Sequence, residues 1–177
     1  MVAESIEVQV RPGVEGDLTA LTDLYNHYVR ETPITFDTAT FTPEERRPWL
    51  LSHLEDERHP LLVANETTSN RILGYATASA FRPKAAYDTS VEVTVYLAPD
   101  AGGHGIGTLL YKALFESLAE QDVHRAYAGI AQPNEASTRL HLRFGFSYVG
   151  TYREVGRKFG RYWDVAWYEK VLRPSPS

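Results

Sequence analysis

The chain has 177 residues, 43% of them hydrophobic, enough to bury one sizeable core and too few for two ordinary domains to be the first expectation. Its formal charge of −5 and its scattered basic residues argue against an extended nucleic-acid contact surface. The absence of cysteine excludes disulfides and a thiolate nucleophile, and suits a reducing cytoplasm. A structural zinc site would have only histidine and carboxylates to draw on, and no metal is expected.

The first ten residues lack a basic stretch leading into an apolar one, and no segment reaches the roughly 18 apolar residues of a membrane span, so a soluble, cytoplasmic chain without a membrane partner is expected. Ile6, Val8 and Val10 alternate with polar residues up to Pro12, which predicts a strand. Asp17 then reads as an N-cap for a helix whose apolar residues run from Leu18 to Val29, ended by Pro33. Thr42-Pro43-Glu44-Glu45 predicts a second helix, with proline at its first position and acids in its first turn, to about Asp56. Leu61 to Ala64 and Ile72 to Ala80 predict a hairpin, and Thr89 to Leu97, rich in β-branched residues, the next strand. An amphipathic helix carries Leu109, Leu110, Ala113, Leu114 and Leu118 to about Gln121. Arg125 to Ile130 follows as a strand, Asn134 caps a helix ending near Gly145, and Phe146 to Tyr152 with Tyr162 to Val171 complete the series. Residues 1–172 are expected to form one domain, and Arg173 to Ser177 a disordered tail. The fold class implied is α/β, of the α+β type: a mixed, mostly antiparallel central sheet flanked by helices.

Between the strand ending at Leu97 and the amphipathic helix lies Gly102-Gly103-His104-Gly105-Ile106-Gly107-Thr108. Glycines allow close backbone approach, and the unpaired N–H groups that open a helix favour an anion such as a pyrophosphate. A plain glycine-rich turn is the alternative. The spacing does not match G-x-G-x-x-G, the turn follows antiparallel strands, and the next strand carries no acid about 20 residues on to hold a ribose, all of which argues against a dinucleotide fold. No Gly-Lys-Ser/Thr follows, so a nucleotide-hydrolase phosphate loop is excluded as well.

In the strand, alternation sends Val91, Val93 and Val95 to one face and Glu92, Thr94 and Tyr96 to the other, which brings a carboxylate into the middle of the sheet. Burial would raise its pKa toward the range of a general base, unless a buried Arg or Lys pairs with it. Asn134 and His141, seven residues apart, share one helix face.

The glycine turn resembles the pyrophosphate-binding motif of the GNAT acetyltransferase superfamily, Q/R-x-x-G-x-G/A, with Gly102 in place of the usual first residue and Gly105 and Gly107 at the other two positions. Tyr25-Asn26-His27-Tyr28, Phe36, Ala86-Tyr87-Asp88, Glu92, Thr94 to Tyr96, Asn134-x-x-Ser137-x-Arg139-Leu140-His141 and Lys158-x-Gly160 together resemble the phosphinothricin N-acetyltransferase branch over nearly the whole chain. The resemblance implies the GNAT fold and acetyl transfer from acetyl-CoA to the α-amine of phosphinothricin, methionine sulfone or methionine sulfoximine. It implies Glu92 as base and His141 as general acid or proton shuttle. Gly103, His104, Gly105, Ile106, Gly107 and Thr108 would hold the cofactor's diphosphate. Asn134 and Ser137 would hold its pantetheine arm, and main-chain groups of Val95, Tyr96 and Leu97 its thioester. Phe36, Arg82, Lys84 and Tyr87 would line the acceptor pocket, with Lys84 standing where the branch carries arginine. A homodimer is also implied. The rival readings are a non-catalytic acyl-CoA sensor and an enzyme acting on a polyamine or a protein amine.

Overall fold

The computed structural model describes residues 6–174. Its elements, in chain order, are β1 (Val8–Pro12), α1 (Leu18–Glu31), α2 (Pro43–Glu55), β2 (Leu61–Glu66), β3 (Ile72–Ala80), β4 (Ser90–Leu97), α3 (Ile106–Ala119), β5 (Arg125–Ala131), α4 (Glu135–Arg143), β6 (Ser147–Lys158) and β7 (Arg161–Val171). This is the order the sequence predicts, and the architecture is the mixed, mostly antiparallel sheet flanked by helices.

The seven strands form one sheet in the order β1-β2-β3-β4-β5-β7-β6. Every pairing is antiparallel except β4 with β5, which is parallel. That parallel ladder is short: it joins Ser90 to Arg125, Val91 to Ala126 and Glu92 to Tyr127, and stops. Beyond Glu92 the two strands separate into a wedge in the middle of the sheet.

Val91 and Val93 are buried against the face that α3 covers, where Leu110 approaches Gly74 and Leu97. The opposite face carries Tyr75, Thr77, Ser79, Glu92, Thr94 and Tyr96, in register across β3 and β4. α1 and α2 cover it through aromatic contacts, with Tyr25 5.5 Å and Tyr28 5.0 Å from the Tyr96 ring and Trp49 5.8 Å from Tyr75. Alternation along β4 thus gives each strand face its own helix layer.

Four local expectations change. Asp17 stands at the N-cap of α1 as expected, but its side chain bonds no N–H of that helix; it ends a 3-10 turn, accepts the Val14 N–H at 2.9 Å and pairs with Arg11 at 2.8 Å. α3 starts at Ile106, three residues before the apolar stripe suggested. β6 runs on to Lys158, with breaks in register between Tyr148 and Gly150 and between Tyr152 and Gly156. Arg173 is held rather than free, its main-chain N–H reaching His124 O at 3.3 Å and its guanidinium Ala119 O at 2.8 Å. The rest of the expected tail, 175–177, lies outside the described residues. α2 starts at Pro43 as predicted, and Thr42 and Glu45 close a capping box there that was not predicted.

Candidate active site

The wedge leaves those main-chain groups of β4 that face β5 without a strand partner after Glu92, while the β3 ladder continues to Leu97. One of the freed acceptors, the Leu97 carbonyl, takes the Tyr28 hydroxyl at 2.6 Å. A small cavity of about 50 Å3 fills the wedge between Val93 to Tyr96 on β4 and Ala128 to Ala131 on β5, with Tyr111, Asn134, Ser137 and His141 along its wall. A second cavity of about 290 Å3 shares Val95, Asn134 and Ser137 with it and leads past Leu97 and Gly107 to Gly102. The path from the glycine turn into the sheet is therefore continuous.

At its outer end, Gly103 and Gly105 have φ of +81° and +72°, the left-handed region that a side chain disfavours, and Gly105 is the N-cap of α3. No atom lies within 4 Å of where a Cβ would stand at Gly102, Gly103 or Gly105. The turn that leads into α3 is thus open beside its glycines, as the approach of a diphosphate to a helix start requires. His104 is exposed and lines none of these cavities, and Ile106 is buried in the core, so only its main chain is available to a ligand. Thr108 accepts a hydrogen bond from Arg143 at 3.4 Å, which sets a cation beside the turn.

Asn134 accepts the Ser137 N–H at 3.2 Å and so caps α4 while also lining the wedge. His141 is buried at 3% exposure, packed edge-on against Phe146 at 5.0 Å, so it belongs to the core as well as to the cavity wall. Its Nδ1 lies 2.7 Å from the Ser137 carbonyl, which can only accept, so Nδ1 carries the proton. Nε2 then accepts the Tyr111 hydroxyl at 2.8 Å. Burial lowers the pKa of His141, partly offset by the Ser137 carbonyl, and burial raises that of Tyr111. The ring at rest is a neutral acceptor with no free N–H.

Glu92 stands on the other face of the sheet, between two larger cavities. Ser79, directly across from it, and Thr94, two residues along, line a cavity of about 300 Å3 beneath α1 and α2. Tyr127, its partner on β5, lines one of about 360 Å3 with Arg82 and Trp167. Among the described residues Glu92 makes no ion pair or hydrogen bond. Burial raises its pKa, with the nearby Arg82 charge drawing it partly back. Glu92 and His141 thus lie on opposite sides of the wedge. The cavity beneath α1 and α2 shares Thr94 and Tyr96 with the wedge, so a group in the first meets a group in the second across β4.

The residues expected to line the acceptor pocket do not converge. Arg82 stacks over Phe81 at 4.3 Å. Tyr87 is exposed, with its ring 5.9 Å from Phe81, and Lys84 is exposed at the start of a 3-10 turn. Phe36 sits apart from them: its ring lies where a Cβ on Gly156 would be, 2.1 Å away. The loop that carries it is tied to β6 by Lys158, whose buried ammonium donates to Thr35 O at 2.8 Å. Three residues that line these cavities carry no sequence signal of it: Tyr111 reads as one more residue of an apolar stripe, Arg46 as part of a charged run, and Tyr75 as a strand aromatic.

Comparison with known proteins bears on this geometry. An acetyltransferase (GNAT) domain model matches residues 13–167. A phosphinothricin N-acetyltransferase of Streptomyces coelicolor is 75% identical over 94% of this chain and 97% of its own. An L-methionine sulfoximine/L-methionine sulfone acetyltransferase of Pseudomonas paraeruginosa is 31% identical over 97% of this chain and 99% of its own. Among solved structures, a GNAT superfamily phosphinothricin acetyltransferase from Sinorhizobium meliloti, in complex with acetyl-CoA, superposes with a TM-score of 0.88 at 30% identity, covering 93% of this chain and 88% of that one. Salmonella typhimurium yncA, solved with acetyl-CoA as cofactor, does so at 0.90 with 29% identity over 96% of each chain. With a glycine-lined helix start leading into a parted sheet, and with these relatives along almost its whole length, the chain belongs to the GNAT acetyltransferase family and is an acetyl-CoA-dependent N-acetyltransferase.

Proposed function

We propose that the enzyme acetylates the α-amine of a small amino-acid-like acceptor of the phosphinothricin, methionine sulfone or methionine sulfoximine type. The observation that carries this reading is the meeting of the wedge and the α1–α2 cavity at Thr94 and Tyr96, beside an unpaired, half-buried carboxylate. The names of the relatives give the acceptor class.

In this mechanism the diphosphate of acetyl-CoA rests on the main chain from Gly103 to Thr108. The pantetheine runs past Asn134 and Ser137 and pairs with the free main-chain groups of β4, as an added strand would. Glu92 takes a proton from the acceptor ammonium through a water, and the neutral amine attacks the thioester carbonyl carbon. Main-chain N–H groups of Val95 and Leu97, but not that of Tyr96, which points into the β3 ladder, stabilise the oxyanion of the tetrahedral intermediate, which collapses with cleavage of the C–S bond. His141 acts as a shuttle rather than a resting acid. The proton that the attacking nitrogen sheds from the tetrahedral intermediate reaches Nε2 and reverses its hydrogen bond to Tyr111, the phenol passes its own proton to the departing sulfur, and Nε2–H returns one to the phenol oxygen. The α-carboxylate shares a carbon with the amine, so the cation that holds it must stand near the base; Arg82 does, and Lys84, out on the turn, takes no part. The catalytic unit spans residues 1–172.

The test is thiol release from acetyl-CoA across a panel of amino acids and amines. The three named acceptors should be turned over, and Glu92→Gln should lower kcat by about 100- to 10,000-fold with acetyl-CoA binding unchanged. Acetylation of a polyamine with none of the three turned over would displace the acceptor class, and acetyl-CoA binding without turnover of any amine would leave a sensor. A proton relay at Glu92 and His141, which a sensor does not need, is what favours the enzyme.

A further inference from the structure

The α1–α2 cavity has a built polar end that the mechanism above does not use. Arg46 is 7% exposed, and its guanidinium is held between the Tyr25 ring at 4.2 Å and the Trp49 ring at 3.8 Å. One N–H donates to Leu21 O at 3.3 Å, and among the described residues Arg46 has no ion pair. Tyr75, on the floor beneath it, is 1% exposed, and its hydroxyl oxygen has no hydrogen-bond partner among the described residues. Both line the same cavity. The two carboxylates on the rim are otherwise engaged: Asp37 accepts the Tyr25 hydroxyl, and Glu45 the Thr42 N–H at 2.8 Å.

A buried guanidinium with no ion pair and most of its N–H groups unbonded among the described residues, facing a buried phenol whose hydroxyl has only that guanidinium beside it, is costly, and natural proteins satisfy such groups with protein, water or ligand. Here the two converge on a space large enough for a small solute, next to the reacting centre. Guanidinium offers only donors, in a planar fork suited to two oxygens of one group, and a phenol adds a third donor. The ligand they fit is a group rich in acceptor oxygens.

We propose that Arg46 and the Tyr75 hydroxyl bind the tetrahedral P–O or S–O end of the acceptor and so set its specificity, an inference that rests on the acceptor class given above. The amine lies by Thr94, where the cavity meets the wedge, within a water's reach of Glu92, which is two residues or roughly 7 Å back along β4. The side chain of the acceptor then runs deeper beneath α2, and its oxygens replace the missing partners of Arg46 and Tyr75. An amino acid that lacks the tetrahedral group leaves both unpaired, which is how a polar pocket rejects it.

Tyr75→Phe is the discriminating variant, because it removes the hydroxyl beside Arg46 and keeps the packed ring, so the melting temperature should change little. The expected result is a KM for phosphinothricin raised about 10-fold or more, with the KM for acetyl-CoA unchanged and turnover of methionine, which lacks the tetrahedral group, unaffected. Arg46→Met should raise the KM for phosphinothricin further, and Arg46→Lys should not restore it, since lysine lacks the fork. An unchanged KM for phosphinothricin in Tyr75→Phe overturns the proposal while leaving the acceptor class intact, as does an equal loss on methionine and phosphinothricin, which marks a structural role. A wild-type enzyme that acetylates none of the three named acceptors removes both.

Discussion

Glu92 is half-buried with no partner to neutralise it, and its pKa rises accordingly. The folded chain therefore holds this proton more tightly than the unfolded chain does. By linkage, stability falls as the pH climbs from the ordinary glutamate value through the raised one. Glu92→Gln should accordingly melt at a higher temperature than the wild type at neutral pH while turning over far more slowly, which scanning calorimetry and the thiol assay check together. Arg82 pulls the same pKa down, so Arg82→Met should move the acidic limb of kcat/KM to higher pH; a limb that stays in place would separate Arg82 from the base. The position of Glu92 was legible in the sequence because strand alternation alone assigns it to the face opposite Val91 and Val93. The state of His141 was not: only its contacts with Ser137 and Tyr111 reveal that the ring is a neutral acceptor. Nor could Arg46 be found, since it lies in Glu44-Glu45-Arg46-Arg47, where charge reads as a solvated helix face.

At the level of elements, function rests on what β4 and α3 leave unpaired. The start of α3 depends on Gly105, whose φ of +72° makes it the residue least able to accept a side chain there. Gly105→Ala should cost about 1–2 kcal/mol of stability and weaken acetyl-CoA binding several-fold, measured by calorimetric titration, while the acceptor KM at saturating acetyl-CoA stays near its wild-type value. The order of all eleven elements followed from periodicity and caps, because each is long enough to show its repeat or carries a clear stop. β6 beyond Tyr152 escaped that reading. It carries charged residues, two breaks in register, and Glu154 at a φ of +50°, and these disrupt the alternation that marks a strand. The parting of β4 from β5 left no trace in residue types either, since wedge and ladder share the same Val- and Ala-rich composition.

The whole sheet ends on unlike edges. β1, five residues long, closes one side, whereas β6 closes the other with twelve. The second edge also exposes Tyr148, Val149, Tyr152, Val155 and Phe159, each more than half accessible. A long apolar edge is a pairing site unless something covers it. We propose that a second copy does so, and sedimentation equilibrium should give twice the chain mass; a monomer at micromolar concentration would leave the edge bare. Among the described residues no helix is long and apolar enough to cross a membrane.

The interrupted parallel ladder has a further consequence for the life of the protein. A sheet with a gap at its centre is a structure waiting for its last strand, and in the mechanism proposed above the pantetheine arm supplies it. Because that arm binds the folded chain and not the unfolded one, saturation at about a hundred times Kd adds roughly 2.7 kcal/mol to resistance against unfolding. On that placement, the enzyme's resistance to heat and proteases should rise with the concentration of acetyl-CoA around it.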